Sequence, residues 1–143
     1  MRKTPELVAA AISAAYTAWV ASTSRASTTH ATGESFERAA ARFLARRGYT
    51  VLAHNWRCPG GEIDLVARDG DTLVFVEVRA RSSRAGYLPE ETIGRAKVRR
   101  LALAGEAYLQ SCGWQGPCRF DVVAIAIQDA GPNIRLIADA FQL

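Results

Sequence analysis

Apolar residues are densest between residues 61 and 81, where two runs rich in Val, Leu, Ile and Phe flank an Asp69-Gly70 dipeptide. Asp-Gly between two such runs marks a tight hairpin, because primed turns need positive φ. Surface hairpins alternate apolar and polar residues, and these strands are more apolar than that, which predicts a central position in a sheet. Residues 33–47 carry a helical period. Thr32 reads as the N-cap, Glu34 and Glu37 fall in the first turn, and Gly48 closes the end. Phe36, Ala39, Ala40, Phe43 and Leu44 form the buried face, from which Glu34 points away. Residues 49–57 predict a first strand, with Cys58-Pro59-Gly60-Gly61 turning into the hairpin. Pro89-Glu90-Glu91 opens a second helix running to about Gln110. Its core-facing positions are Ile93, Val98, Leu101, Gly105, Tyr108 and Leu109. Residues 119–127 and 134–139 predict two more strands around a turn at 129–133. The order α-β-β-β-α-β-β predicts an α/β domain with a mixed central sheet flanked by helices.

Side chains alternate faces along a strand, so Glu62, Asp64 and Val66 share one face, as do Leu73, Phe75, Glu77, Arg79 and Arg81. A two-residue turn at Asp69-Gly70 pairs Arg68 with Asp71 and Glu62 with Glu77, and makes Asp64 and Glu77 diagonal neighbours at roughly 7 Å. A four-residue loop would set them directly opposite; an odd loop would separate them. Two carboxylates this close on an apolar hairpin repel unless a cation lies between them. A divalent metal held by oxygens is one answer. Neutralisation by Arg79 or Arg81, or exposure to water, is the other.

Composition narrows the classes. With 143 residues the chain is long enough for one domain with a true core, and its net charge of +4 suits a nucleic-acid partner without requiring one. Three cysteines with no C-x-x-C pair argue against a disulfide framework and a structural zinc site, and fit a reducing cytoplasm. Residues 1–32 stand apart, with a basic start, an Ala-rich run and a Ser/Thr-rich stretch. They read as an extension and linker ahead of the domain at 33–143, with a targeting segment or a mis-assigned start as alternatives. The Ala-rich run is too short and weakly apolar for a membrane span. His54 lacks a ligand-type partner at metal spacing, Trp56 reads as core, Cys58 as a bystander, and Asp121 as the partner of an arginine. No P-loop, dinucleotide fingerprint or nucleophile elbow occurs. Arg95, Lys97, Arg99 and Arg100 give the second helix a basic surface, ordinarily a solvated face. Beside an acidic metal site it would form a phosphate track together with Arg81 and Arg84.

The hairpin residues also carry a resemblance. Gly61-Glu62-Ile63-Asp64-Leu65-Val66-Ala67 followed by Phe75-Val76-Glu77-Val78-Arg79-Ala80-Arg81 resembles the signature of the YraN family of bacterial endonuclease-like proteins. That family is similar to archaeal Holliday-junction resolvases of the PD-(D/E)xK nuclease superfamily. The likeness runs from Gly33 to the C-terminus and takes in Gly33-Glu34, Asn55, Lys97, Arg119-Phe120-Asp121-Val122 and Ala140-Phe141. It implies a restriction-endonuclease-like core and a metal-dependent endonuclease acting on DNA, branched or structured DNA included. By the same resemblance Asp64, Glu77 and the carbonyl of Val78 would hold Mg²⁺ or Mn²⁺, with Glu34 nearby. The superfamily's E-x-K lysine falls at position 79, where this chain has Arg79. An arginine supplies charge but stays protonated and cannot serve as a base. A nucleic-acid-binding protein of the same fold with little or no cleavage is therefore the alternative, and a plain interaction domain with arginine-neutralised acids the third. A homodimer would suit symmetric cutting of two strands, and no stretch identifies its interface.

Overall fold

The computed structural model describes residues 31–82, 93–128 and 131–141. The extension predicted at the start of the chain, Arg84, and the expected helix opening at Pro89-Glu90-Glu91 lie outside the described residues. The elements are α1 (Ala31–Arg46), β1 (Thr50–Cys58), β2 (Gly61–Asp69), β3 (Thr72–Ser82), α2 (Arg95–Cys112), β4 (Cys118–Gln128) and β5 (Gly131–Ile137). The five strands form one sheet in the order β1-β2-β3-β4-β5. Neighbours are antiparallel except β3 and β4, which are parallel and joined through α2. The sheet is therefore mixed, and the α/β expectation holds.

Alternation along β3 builds a core on each face. Leu73 and Phe75 join Leu101, Ala104 and Tyr108 of α2, whereas Val74 and Val76 join Ala40 and Leu44 of α1. The helices thus cover opposite faces of the sheet. At Gly105 a Cβ would lie 2.9 Å from Phe120 and 3.1 Å from Phe75, so a glycine lets α2 settle against the aromatic floor. Phe75, Tyr108, Trp56, Phe120 and Phe141 form a connected aromatic cluster with centroid separations of 5.1 to 5.9 Å. Trp56 meets Tyr108 edge to face, which bears out its reading as core.

Three boundaries differ from expectation. Thr32 lies within α1 rather than capping it. Gly48 does end α1, at φ +89: the Gly48 and Tyr49 N–H groups donate to the carbonyls of Ala45 and Leu44, which closes the last turn. Among the described residues the second helix starts at Arg95 and leaves out Ile93 and Gly94, with Gly94 extended (φ −75, ψ 163) as its N-cap. β5 starts at Gly131, inside the stretch expected to turn, and Pro132 pairs with Ile127 there. β5 is an edge strand, where a missing N–H is tolerated.

The largest correction concerns the hairpin. Asp69 pairs with Thr72 and Leu65 with Val76, so the turn residues are Gly70 and Asp71. Gly70 alone of the two has positive φ (+58), which glycine accepts freely. The predicted pairing of Arg68 with Asp71, and so of Glu62 with Glu77, is replaced by one offset by two residues. Continued one step past Leu65–Val76, the observed register sets Asp64 against Glu77.

Candidate functional site: a facing carboxylate pair

The backbone ladder between β2 and β3 stops at Leu65–Val76. One residue beyond, Asp64 uses its side chain where a strand would use its carbonyl: the Val78 N–H donates to Asp64 Oδ2 at 2.8 Å. The alternation of β2 breaks at the same place. Ile63 and Val66 both join the core beneath α2, while Leu65 joins the other. On the far side of β2, the pairs His54–Leu65 and Trp56–Ile63 set Asn55 of β1 opposite Asp64. Asn55 has φ +48 in mid-strand, a conformation asparagine accepts more readily than most residues. Its side-chain amide donates to Glu37 Oε2 of α1 at 2.7 Å, tying the distorted strand to the helix. Such distortions re-aim side chains and gather next to functional sites.

Glu77, one step further along β3, is 4 % exposed. Its Oε1 lies 3.4 Å from Lys97 Nζ, which reaches down from the first turn of α2. Its Oε2 is buried and receives no hydrogen bond from an N–H or O–H group. The two carboxyl groups are within hydrogen-bonding reach of each other, with Glu77 as donor when protonated. Burial and then the charge of Asp64 push Glu77 up to about 7, against the pull of Lys97 and Arg79. Burial likewise raises Asp64, offset by the Val78 N–H, by the hydrogen bond with Glu77 and by Lys97. Like charges at this separation cannot both ionise cheaply without a cation between them.

The donor set suits a hard divalent cation. It consists of two carboxylates, one with a buried and donorless oxygen, on strands that also carry the Val78 carbonyl. Among the described residues no group of three or more His, Cys, Asp or Glu comes together to hold a metal. A site of two carboxylates leaves positions for water and for a substrate oxygen, as magnesium sites commonly do.

The remaining sequence-derived residues distribute as follows. Arg79 is half-buried on β3 and contributes favourable charge to Glu77. Glu34 lies in α1 and Arg81 near the end of β3, and the structure describes their backbone alone. Arg95, Arg99 and Arg100 are exposed on α2. Lys97, read from sequence as part of that basic surface, instead turns inward to Glu77. His54 is half-buried, and burial lowers its pKa, which keeps the ring neutral near pH 7. Asp121 is fully buried and, as expected, pairs with an arginine, Arg119, at 2.9 Å. Residues that sequence reasoning missed are Arg57 and the Gly60-Gly61 turn, which with Lys97 and Arg100 line a cleft of about 360 Å³ beside the acid pair.

No helix of the described residues is long and apolar enough to cross a membrane. Residues 36–125 match the model of an uncharacterised protein family, UPF0102, the YraN family of the sequence resemblance. A UPF0102 protein of Syntrophus aciditrophicus is 45 % identical over 113 residues, covering 78 % of this chain and 89 % of its own. One from Symbiobacterium thermophilum is 47 % identical over 114 residues, covering 76 % and 94 %. One from Roseiflexus castenholzii is 50 % identical over 97 residues, covering 66 % and 78 %. The matched segment spans both strands of the acid hairpin, Lys97 and the Arg119–Asp121 motif, and on this match the chain belongs to the uncharacterised protein family UPF0102.

Proposed function

We propose that this protein is a metal-dependent endonuclease acting on DNA, with branched or structured DNA as the leading substrate, on a restriction-endonuclease-like core. The observation that carries the reading is the Asp64–Glu77 pair, with Glu77 buried and Asp64 half-buried, which is unfavourable as it stands and relieved by a bound cation. Asp64, Glu77 and the Val78 carbonyl would hold Mg²⁺ or Mn²⁺. Bound there, the ion would lower the pKa of a water and offset charge on the phosphate being cleaved. Asp64 is held in place for this by the Val78 N–H, and Glu77 by Lys97. Lys97 brings to the pair the ammonium that position 79 lacks, and Arg79 adds a permanent charge without proton transfer. Fixed charges aimed at a developing phosphorane stabilise it in proportion to how dry the site is, and Glu77 is nearly dry.

A second reading, a nucleic-acid-binding protein that does not cleave, is favoured by Arg79 in the place of a lysine. A cleavage assay separates the two. Purified protein is incubated with labelled four-way junction, flap, single-stranded and duplex DNA in Mg²⁺, Mn²⁺ or EDTA, beside Asp64→Ala and Glu77→Ala. The nuclease reading expects metal-dependent products that both variants lose. DNA binding without products in any metal would leave the binding protein.

A further inference from the structure

The cleft lined by Arg57, Gly60, Gly61, Glu62, Lys97 and Arg100 lies outside the acid pair but shares Lys97 with it. Its walls come from two elements that pack unusually closely. A Cβ on Gly61 would sit 2.9 Å from the Arg100 carbonyl, and one on Gly60 would touch Leu103 at 3.4 Å. Two glycines therefore let the β1–β2 turn lean on α2. Their contact brings Arg57, from the end of β1, and Arg100, from α2, onto one opening. Lys97 and Arg100 are three residues apart and so share a helix face. Lys97 forms the inner end, against Glu77, and Arg57 stands outermost, 75 % exposed and 3.2 Å from Glu62. Three cations face one carboxylate, Glu62, across this space. Cys58 and Pro59 complete the turn side of the wall, and the two glycines serve the close packing of that turn on α2.

We propose that this cleft is a phosphate subsite for the nucleic-acid backbone, seating the phosphodiester next to the one presented to Asp64 and Glu77. The proposal rests on the nuclease reading for its orientation, and its binding chemistry is testable without cleavage. Arg57 and Arg100 supply forked donors matched to phosphate oxygens, and Lys97 marks where the strand leaves the subsite for the acid pair. Glu62 holds Arg57 while the cleft is empty and releases it to the anion, since an exposed pair of this kind is weak.

The test measures affinity of the full chain for a short labelled DNA duplex by fluorescence anisotropy across a salt series, in EDTA so that nothing is cut. Arg57→Ala/Arg100→Ala is compared with wild type and with Arg42→Ala/Arg46→Ala, which removes two exposed charges from α1 on the opposite face. The cleft variant is expected to bind about tenfold or more weakly at low salt and to flatten the log–log salt dependence by about 1 to 2 units. The α1 variant is expected to match wild type. Wild-type affinity and slope in the cleft variant, or equal losses in both, would overturn the subsite. Because binding is read in EDTA, a separate failure to cut DNA in Mg²⁺ or Mn²⁺ would overturn the nuclease reading and leave this result standing.

Discussion

Two buried carboxylates lie on adjacent strands, and they could hardly be treated more differently. Asp121, fully buried on β4, is saturated. It accepts hydrogen bonds from Arg119 Nε at 2.9 Å, from Arg119 Nη2 at 3.2 Å, from the Asp139 N–H at 2.9 Å and from the Tyr49 hydroxyl at 3.4 Å. Arg119 is pinned in turn by Asp69 at 2.9 Å and donates to the Tyr49 hydroxyl at 2.8 Å, and its pKa is raised, chiefly by the hydrogen bond to Asp121. Glu77, on β3, has one ion pair at 3.4 Å, a donorless oxygen and a second carboxyl group beside it. Together with Arg119, Asp121 knits the start of β4 to the segment after β5, to β2 and to the turn after α1. Glu77 knits little and is held in a state that burial opposes. Buried polar groups are normally satisfied, and this exception is what the proposed cation site would account for.

The comparison can be broken from either side. The largest stability effect is expected at the satisfied acid. Asp121→Ala takes the acceptor from Arg119 Nε and from the Asp139 N–H and should cost about 4 kcal/mol in urea unfolding, whereas Glu77→Gln should cost nothing at pH 8 and tends to stabilise. Equal losses in the two variants would erase the distinction.

Next in size is a dependence on pH. Glu77 titrates near 4.5 when unfolded and at about 7 when folded. Between those values the folded state binds more protons, so stability falls as pH rises from about 5 to 8, by roughly 2 kcal/mol. Thermal unfolding across that range should show the decline without added metal, a smaller one with Mn²⁺, and a flatter profile in Glu77→Gln. A stability that climbs through the same window would contradict the assignment.

Smaller still is the effect of Lys97→Ala, which removes a charge that holds the Glu77 pKa down. The Glu77 pKa, followed by carboxyl NMR, should rise further, and Lys97→Arg should restore it. The change in stability at pH 5 should be under about 1 kcal/mol, because Glu77 is then already protonated. A comparable effect is expected at Asn55→Ala, which places a less tolerant residue at φ +48 and loses the bond to Glu37. A cost of about 1 kcal/mol is expected, and less for Asn55→Gly, in the same unfolding experiment.

How much of this was legible from the chain follows from what each inference needed. Parity sufficed to put Asp64 and Glu77 on one face, because a two-residue turn at either Asp69-Gly70 or Gly70-Asp71 preserves it. The choice between those turns depends on which residue takes the positive φ, and the local sequence offers glycine to both. That single-residue ambiguity moved Asp64 from a diagonal to a facing position. Asp121 was readable as an arginine partner because Arg119 is two residues away on the same strand face. Lys97 was named from the sequence, but its contact with Glu77 was not readable, since that reach depends on how far α2 settles onto the sheet, which Gly105, Gly61 and Phe75 decide together. The cleft at Arg57 was hidden for the same reason. Asn55 offered a faint signal, an asparagine among apolar strand residues, that could have suggested a left-handed kink but not its position opposite Asp64. The start of β5 was lost because Pro132 in a strand is acceptable at an edge, and edge position is a property of the whole sheet.

The measurement that bears most directly on the central claim is a calorimetric titration of Mn²⁺ into the full chain and into Asp64→Asn, Glu77→Gln and Asp121→Asn, each shown to be folded. One site in wild type, lost in the first two variants and kept in the third, is the predicted result, with protons released on binding near pH 6 as the pair gives up its shared hydrogen. Binding in Asp64→Asn and Glu77→Gln indistinguishable from wild type would mean that the strained pair is not a metal site.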